Sequence, residues 1–403
     1  MNPRLESLFP YPFQRLGQLL AGVESHSNKA PIAWSLGEPK HAAPDFLVQL
    51  MQDETILRRG FGAYPPTKGT PELRQAIASF VNQRFNLSTG LDPETQILPA
   101  NGTREALFAL AQALVDPTDP GLCLLPNPFY QIYEGAALLA GNQPHYINCE
   151  AKNEYLPDLD GIASKIWQQC RLIYICSPGN PTGAVMPKSQ LKQLIELAQQ
   201  YDFVIAADEC YSEIYRDESS PPPGLLEAAS ELGLDDYKNC IAFNSLSKRS
   251  NLPGVRSGYV VGDANIIEKF LLYRTYHGSA MPLHHQILST AAWQDEDHVV
   301  TNRQRYREKF DQVCNILEPV WPQQMPEAGF FLWPETPLSD TDFTISLIRH
   351  TNVKVLPGSY LSRDATGGNP GANRVRMALV ANFDECIEAA NRIVQSWQAI
   401  SEA

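Results

Sequence analysis

Leu172-Ile173-Tyr174-Ile175-Cys176-Ser177-Pro178-Gly179-Asn180-Pro181-Thr182-Gly183 is an apolar run that stops abruptly in a turn dense with proline and glycine. Beyond it, Leu191, Leu194, Ile195 and Ala198 recur at helical spacing between Ser189 and Gln199. A second apolar run, Phe203-Val204-Ile205-Ala206-Ala207, then ends on Asp208. Strand, turn, amphipathic helix and strand is the repeating unit of a parallel sheet covered on both faces, whose strands are apolar throughout because both faces are buried.

Working outward, the same alternation runs from about Leu91 to Val261. Further strands are predicted at Leu122 to Leu125, Ile241 to Phe243 and Tyr259 to Val261, with a helix from Thr103 to Leu114. The predicted class is α/β, with a large domain built on a mostly parallel central sheet. The ends break the pattern. Pro10, Pro12 and a small apolar helix from Phe13 to Val23 read as an arm. From about Trp293 the chain turns to a charged helix (Arg303 to Leu317), a strand at Phe330-Phe331-Leu332-Trp333, and a closing helix whose Ala390, Ile393, Val394 and Trp397 share a face. These predict a smaller α+β domain made of residues 1–43, including the arm, and 290–403, beside a large domain of residues 44–289. No internal repeat is visible, and the loops Ser219-Ser220-Pro221-Pro222-Pro223-Gly224 and Gly367-Gly368-Asn369-Pro370-Gly371 are turn-rich connections.

The 403 residues are 43% hydrophobic and 19% charged, a globular composition, and the net charge of −13 argues against a nucleic-acid partner. Small-molecule chemistry fits better. Eight cysteines, at 123, 149, 170, 176, 210, 240, 314 and 386, include no C-x-x-C pair, so no metal site is implied. Scattered through apolar runs, they read as small buried hydrophobes of a reduced compartment, the cytoplasm. Met1-Asn2-Pro3-Arg4-Leu5-Glu6 opens no secretory signal, and no apolar run approaches the roughly 20 residues that span a bilayer. No membrane association is expected.

Polar groups repeatedly follow the predicted strand ends, where open α/β sheets place their ligands. Ser245-Leu246-Ser247-Lys248 follows Ile241-Ala242-Phe243, and Arg256 comes after a loop with Pro253 and Gly254. A lysine of lowered pKa can form a Schiff base, and hydroxyls with an arginine fork suit a phosphate. Taken alone, a solvated loop is the plainer reading. Asp208 can pair with a protonated ring nitrogen, or equally serve as a helix cap or turn residue. The rigid turn from Ser177 to Gly183 can present Asn180 to a ligand, or be only a tight loop. Asn101-Gly102-Thr103-Arg104 opens a helix whose free amides attract phosphate, with ordinary capping as the alternative.

In this order along the chain, the four groups resemble those of the class I/II aminotransferases, the aspartate aminotransferase superfamily of fold-type I pyridoxal 5′-phosphate (PLP) enzymes, and the resemblance covers nearly the whole chain. It implies the PLP-dependent transferase fold type I and a residue-by-residue site. Lys248 would be the Schiff-base lysine and general base, and Asp208 the partner of the pyridine nitrogen. Asn180 and Tyr211 would hydrogen-bond the phenolic oxygen. Gly102, Thr103 and Arg104, with Ser245, Ser247 and Arg256, would hold the phosphate. Tyr130, in Asn127-Pro128-Phe129-Tyr130, would stack on the ring, with Phe129 as the neighbouring possibility. The resemblance selects Arg376, in Arg374-Val375-Arg376-Met377, for the substrate α-carboxylate; strand alternation alone leaves Arg374 equal. Gly37 would line the substrate pocket and Tyr64 would reach into the partner's site of a homodimer.

The stretches Met1-Asn2-Pro3-Arg4-Leu5, Pro10-Tyr11-Pro12-Phe13 and Val355-Leu356-Pro357-Gly358-Ser359-Tyr360-Leu361-Ser362-Arg363-Asp364, leading to Asn369-Pro370-Gly371, are similar to the bacterial N-succinyldiaminopimelate aminotransferases of lysine biosynthesis. That implies N-succinyl-LL-diaminopimelate as amino donor and 2-oxoglutarate as acceptor, with Arg363 as a candidate for the distal carboxylates; pairing of Arg363 with Asp364 or nearby acids is the alternative. Acetylornithine or aromatic transamination and a carbon–sulfur β-lyase are rival activities on the same scaffold, and a non-catalytic sensor is the rival of another class.

Overall fold

The computed structural model describes residues 1–402. After β1 (Ile32–Ala33), the chain lays down the seven strands of a central sheet: β2 (Ile97–Ala100), β3 (Leu122–Asn127), β4 (Gln143–Asn148), β5 (Cys170–Cys176), β6 (Val204–Asp208), β7 (Cys240–Ser245) and β8 (Gly258–Gly262). Their order is β2-β8-β7-β6-β5-β3-β4. The neighbours from β7 through β4 are parallel, whereas β8 is antiparallel to both β7 and β2.

Each central strand is apolar on both sides because each side has its own core. Ile173, Ile175, Ile205 and Ala207 enter one cluster with Leu73, Ile77, Ile195 and Trp293. Their chain neighbours Leu172, Tyr174 and Ala206 enter another with Leu107, Leu110, Leu125 and Phe270. The two strands not predicted, β2 and β4, are the sheet's two edges. An edge strand has one unpaired side and tolerates proline, so Pro99 in the short, buried β2 and the polar run Gln143-Pro144-His145 in the partly solvated β4 hide the strand signal.

The second lobe pairs β11 (Leu356–Pro357) and β12 (Val375–Ala378) with β9 (Phe331–Leu332) in the antiparallel order β11-β12-β9. Separately, β10 (Val353–Lys354) pairs parallel with β1, Ile32 opposite Val353. The helices Asp297–Leu317, Asp340–Thr351 and Phe383–Ser401 close over a core containing Trp34, Phe310, Leu347, Met377 and Ile393. Residues near position 32 are thus built into the lobe formed by residues beyond 300, which supports joining 1–43 to the C-terminal part. Ala292 and Trp293, on the helix Leu283–Gln294, pack in the core of the central sheet, so we propose that the large domain runs to about residue 294 rather than 289.

Two helix bounds differ from expectation. The arm helix is Pro12–Leu19, shorter than predicted, with Gly22 in the left-handed region at φ +77° beyond it. The helix expected from Arg303 starts at Asp297, because Val299 and Asn302 are buried in its first turns. Among the described residues no helix is long and apolar enough to cross a membrane, and no cluster of three metal-binding side chains occurs.

Candidate active site

The loops at the carboxyl ends of β5, β6 and β7 face the second lobe and the arm across a cavity of about 460 Å³. Lys248 lies in a single helical turn, Leu246–Arg249, that leaves β7 directly. Its Nζ donates to the Gly37 carbonyl at 2.6 Å. Burial pulls its pKa down to about 8, with Cys210 opposing and the Arg376 charge assisting.

Asp208, at the end of β6, is buried. Its Oδ2 accepts from the Tyr133 hydroxyl at 2.6 Å and its Oδ1 from the Cys210 amide at 3.2 Å. Burial raises its pKa, while these donors and the Lys248 charge pull it back. A carboxylate given only two hydrogen bonds in a buried position is suited to one more cationic N–H donor.

Asn180 and Arg376 meet from opposite lobes. Arg376 Nη1 donates to Asn180 Oδ1 at 2.9 Å and Nη2 to the Ser35 carbonyl at 2.8 Å, while its buried Nε has no partner. Burial lowers its pKa to about 10 against the opposing pull of Tyr211, Tyr11 and Tyr130. Arg374 instead donates to the Trp333 carbonyl at 3.0 Å and pairs with Glu335. The ambiguity that alternation left between them is resolved by position: only Arg376 lines the cavity.

Tyr211 is buried, edge-on to Phe330 at 5.2 Å and Phe331 at 5.5 Å. Tyr130 lines the cavity, whereas Phe129 is stacked on Tyr146 at 5.7 Å outside it. Gly37 also lines it, and a Cβ there would lie 3.0 Å from the Phe331 ring. No larger residue fits without moving that ring.

A polar corner of the cavity sits at the start of the helix Thr103–Leu114, which has no side-chain cap. Thr103, Ser245, Ser247 and Arg256 line it. Gly102 adopts φ +79°, and a Cβ on it would lie 2.4 Å from Arg256 Nη2. The Pro253 carbonyl, at 3.0 Å from Nη1, holds the guanidinium there. Free helix amides, hydroxyls and an arginine are the donor set of a phosphate dianion. With the buried carboxylate of Asp208 and the lysine of lowered pKa, these residues fit PLP: Lys248 can bind its aldehyde carbon, Asp208 its ring nitrogen, and the corner its phosphate.

Three expectations need restating. The Arg104 guanidinium does not join Arg256; its Nε donates to Tyr130 Oη at 2.8 Å, so only the Arg104 backbone belongs to the helix start. Arg363 does not line the cavity: Nη2 pairs at 2.6 Å with buried Glu134, and the guanidinium covers Phe9 at 4.1 Å. Its charge is already spent, which corrects the expectation that it meets the distal carboxylates. Tyr64 is fully exposed and outside the cavity of its own chain.

Several lining residues were not singled out from the sequence: Tyr11, Phe13, Glu38, Gln131 and Phe331, and Tyr133 behind Asp208. Tyr133 lies three residues after Tyr130 at a helix start, a spacing that puts both on one face; that was the available signal. Glu38 carried none beyond its place beside Gly37.

Comparison with known proteins agrees with this geometry. The chain matches the family model for aminotransferase class I and II over residues 29–393. It is 31% identical over 396 residues to an LL-diaminopimelate aminotransferase of Nitratidesulfovibrio vulgaris, covering 97% of this chain and 98% of that one. Its structure is similar to that of an aminotransferase from Neisseria meningitidis Z2491, at 43% identity and TM-score 0.91, covering 98% and 99% of the two chains. It is also similar to the aminotransferase AspB from Helicobacter pylori 26695, at 31% identity and TM-score 0.88, covering 97% and 98%. With the family model matching residues 29–393 and relatives at 31% identity or more aligned over nearly their whole length, the chain belongs to the class I and II aminotransferases, which depend on pyridoxal 5′-phosphate.

Proposed function

We propose that this aminotransferase takes its amino group from N-succinyl-LL-diaminopimelate and delivers it to 2-oxoglutarate, in lysine and diaminopimelate biosynthesis. The observation that carries the reading is a pair of arginines on one cavity, neither with a carboxylate partner among the described residues: buried Arg376, and Arg104 at the exposed side beside Tyr130. Such a pair suits substrates with carboxylates at both ends, as the donor and 2-oxoglutarate have. The diaminopimelate skeleton is supported by the similarity to the LL-diaminopimelate aminotransferase of Nitratidesulfovibrio vulgaris and by the similarity of the two end stretches.

Bound PLP supplies the electron sink for the pair released at the substrate Cα. The protein's part is positional and protonic. Arg376, steadied by Asn180 and the Ser35 carbonyl, holds the α-carboxylate by its fork. Lys248, lysine carrier of the cofactor, is then the base that takes the Cα proton on Nζ; its depressed pKa leaves an appreciable neutral fraction near neutrality, and a positioned base contributes roughly 10² to 10⁴ in rate. Asp208, tied by Tyr133, stays in place as the counter-charge beneath. Tyr211 and Asn180 serve the phenolic oxygen, Tyr130 the ring face, and Thr103, Ser245, Ser247 and Arg256 the phosphate. Tyr64 belongs to the site of a second copy in a homodimer. Eight free cysteines, seven of them buried, support a reducing compartment such as the cytoplasm.

A second reading is free LL-diaminopimelate. It is favoured by the similarity to the LL-diaminopimelate aminotransferase and by Glu38, a carboxylate on the cavity that suits a distal ammonium better than a succinyl carboxylate. Values of kcat/KM with 2-oxoglutarate for the succinylated donor, free LL-diaminopimelate, glutamate, N-acetylornithine and phenylalanine decide between them. The succinylated donor should be highest; preference for the free diamine installs the second reading, and preference for an aromatic or acetylated donor removes both.

A further inference from the structure

Asn302, on the helix Asp297–Leu317 of the second lobe, is buried and does not line the cavity. Its side-chain amide nevertheless reaches the lysine turn. Nδ2 donates to the Lys248 carbonyl at 3.2 Å and to the Arg249 carbonyl at 3.3 Å. Backbone carbonyls only accept, so the amide end must face them. A four-residue helical turn cannot satisfy its own last carbonyls, and these two therefore depend on a donor from elsewhere.

The other end of the amide is equally committed. Oδ1 accepts from Asn251 Nδ2 and His41 Nδ1, each at 2.8 Å. Burial drives the His41 pKa down to about 4, with Lys309 and Arg305 adding to the fall and Asn302 opposing it. His41 is consequently neutral with its proton on Nδ1, and its buried Nε2 has no partner. Four residues upstream on the same strap, the Gly37 carbonyl accepts from Lys248 Nζ. The lysine is thus held at its tip by the strap and at its backbone by the second lobe, with Asn302 joining the two.

We infer that Asn302 is a positioning residue for Lys248, coupling the seat of the second lobe and of the 37–41 strap to the orientation and basicity of the lysine. This rests on Lys248 being the lysine that carries the cofactor. Removing the amide leaves two buried carbonyls unneutralised beside the lysine, and their negative ends favour its protonated form.

The test uses the holoenzyme. Asn302→Ala should move the pH midpoint of the bound-cofactor absorbance upward by about 0.3 to 1 unit and lower kcat by roughly 5- to 10-fold, with KM changed less than about 2-fold. Asn302→Asp keeps the acceptor facing His41 and Asn251 but loses both donors, and should shift the midpoint at least as far. His41→Phe leaves the carbonyl clamp and should shift it the same way by less. A merely structural role would lower Tm and leave the midpoint and kcat unchanged, and that result overturns the inference. Should neither Asn302 variant fold, His41→Phe decides alone, an unmoved midpoint counting against. Borohydride reduction with peptide mapping separates the underlying reading: a pyridoxyl label away from Lys248 overturns both, whereas a label on Lys248 with an unmoved midpoint overturns this inference only.

Discussion

Lys248 shows most directly how burial sets reactivity at a single residue. Its pKa lies near 8 in the folded chain against 10.5 for a free lysine, so the fraction of nucleophilic neutral amine rises tenfold per pH unit until about pH 8 and then levels off. The rate at which cofactor-free enzyme takes up PLP should follow that curve; a rise continuing to pH 10 would show an unshifted lysine. Arg104 and Arg363 make a second contrast. Arg363→Ala strands the buried Glu134 carboxylate, so it should cost about 3 kcal/mol of stability without altering donor choice. Arg104→Ala should leave Tm within about 2 °C and reduce kcat/KM for dicarboxylate substrates roughly 10-fold or more relative to phenylalanine. Thermal melts beside a two-substrate kinetic comparison check both. The lysine, Asp208, Asn180 and Arg376 were legible in the sequence because each follows or lies on a recognisable strand and the family resemblance assigns it a role. The fate of Arg363 was not, since its partner lies 229 residues away and no local pattern announces such a pair.

At the scale of elements, the helix Thr103–Leu114 begins where two steric demands coincide at Gly102: a positive φ and a guanidinium within 2.4 Å of where a Cβ would stand. Gly102→Ala should therefore raise the Kd for PLP by about tenfold or more, from the roughly 1–2 kcal/mol penalty of the left-handed backbone together with displacement of Arg256. Far-ultraviolet circular dichroism should be unchanged. Equilibrium dialysis of PLP measures the loss, and wild-type affinity in this variant would mean that Arg256 does not line the phosphate corner. Five of the seven central strands were readable because burial on both faces makes them uninterrupted apolar runs. The edge strands β2 and β4 were not, since an edge with one unpaired side admits Pro99 and Pro144, and the partial solvation of β4 admits His145.

For the whole molecule, Phe61, Tyr64 and Tyr276 are exposed aromatic side chains, and Tyr64 is the one that the proposed homodimer would cover. If sites are shared in a homodimer, mixing Tyr64→Phe and Lys248→Ala chains, with subunit exchange verified, should restore activity beyond that of either parent, because one site of each hybrid escapes both changes. No restoration would mean that each chain builds its site alone.

The pairing of β1 with β10 has a consequence in time. Ile32 leaves the ribosome 321 residues ahead of Val353, its partner in the register; at about 5–20 residues per second that is roughly 15 to 60 s of waiting. For most of that interval Ile32 and Trp34, destined for the interior of the second lobe, lack the greater part of their core, whose Tyr306, Phe310, Phe331 and Leu347 come only after residue 300. The second lobe therefore closes only after the strand β10 and the final helices emerge, so its N-terminal strand must wait for nearly the whole chain.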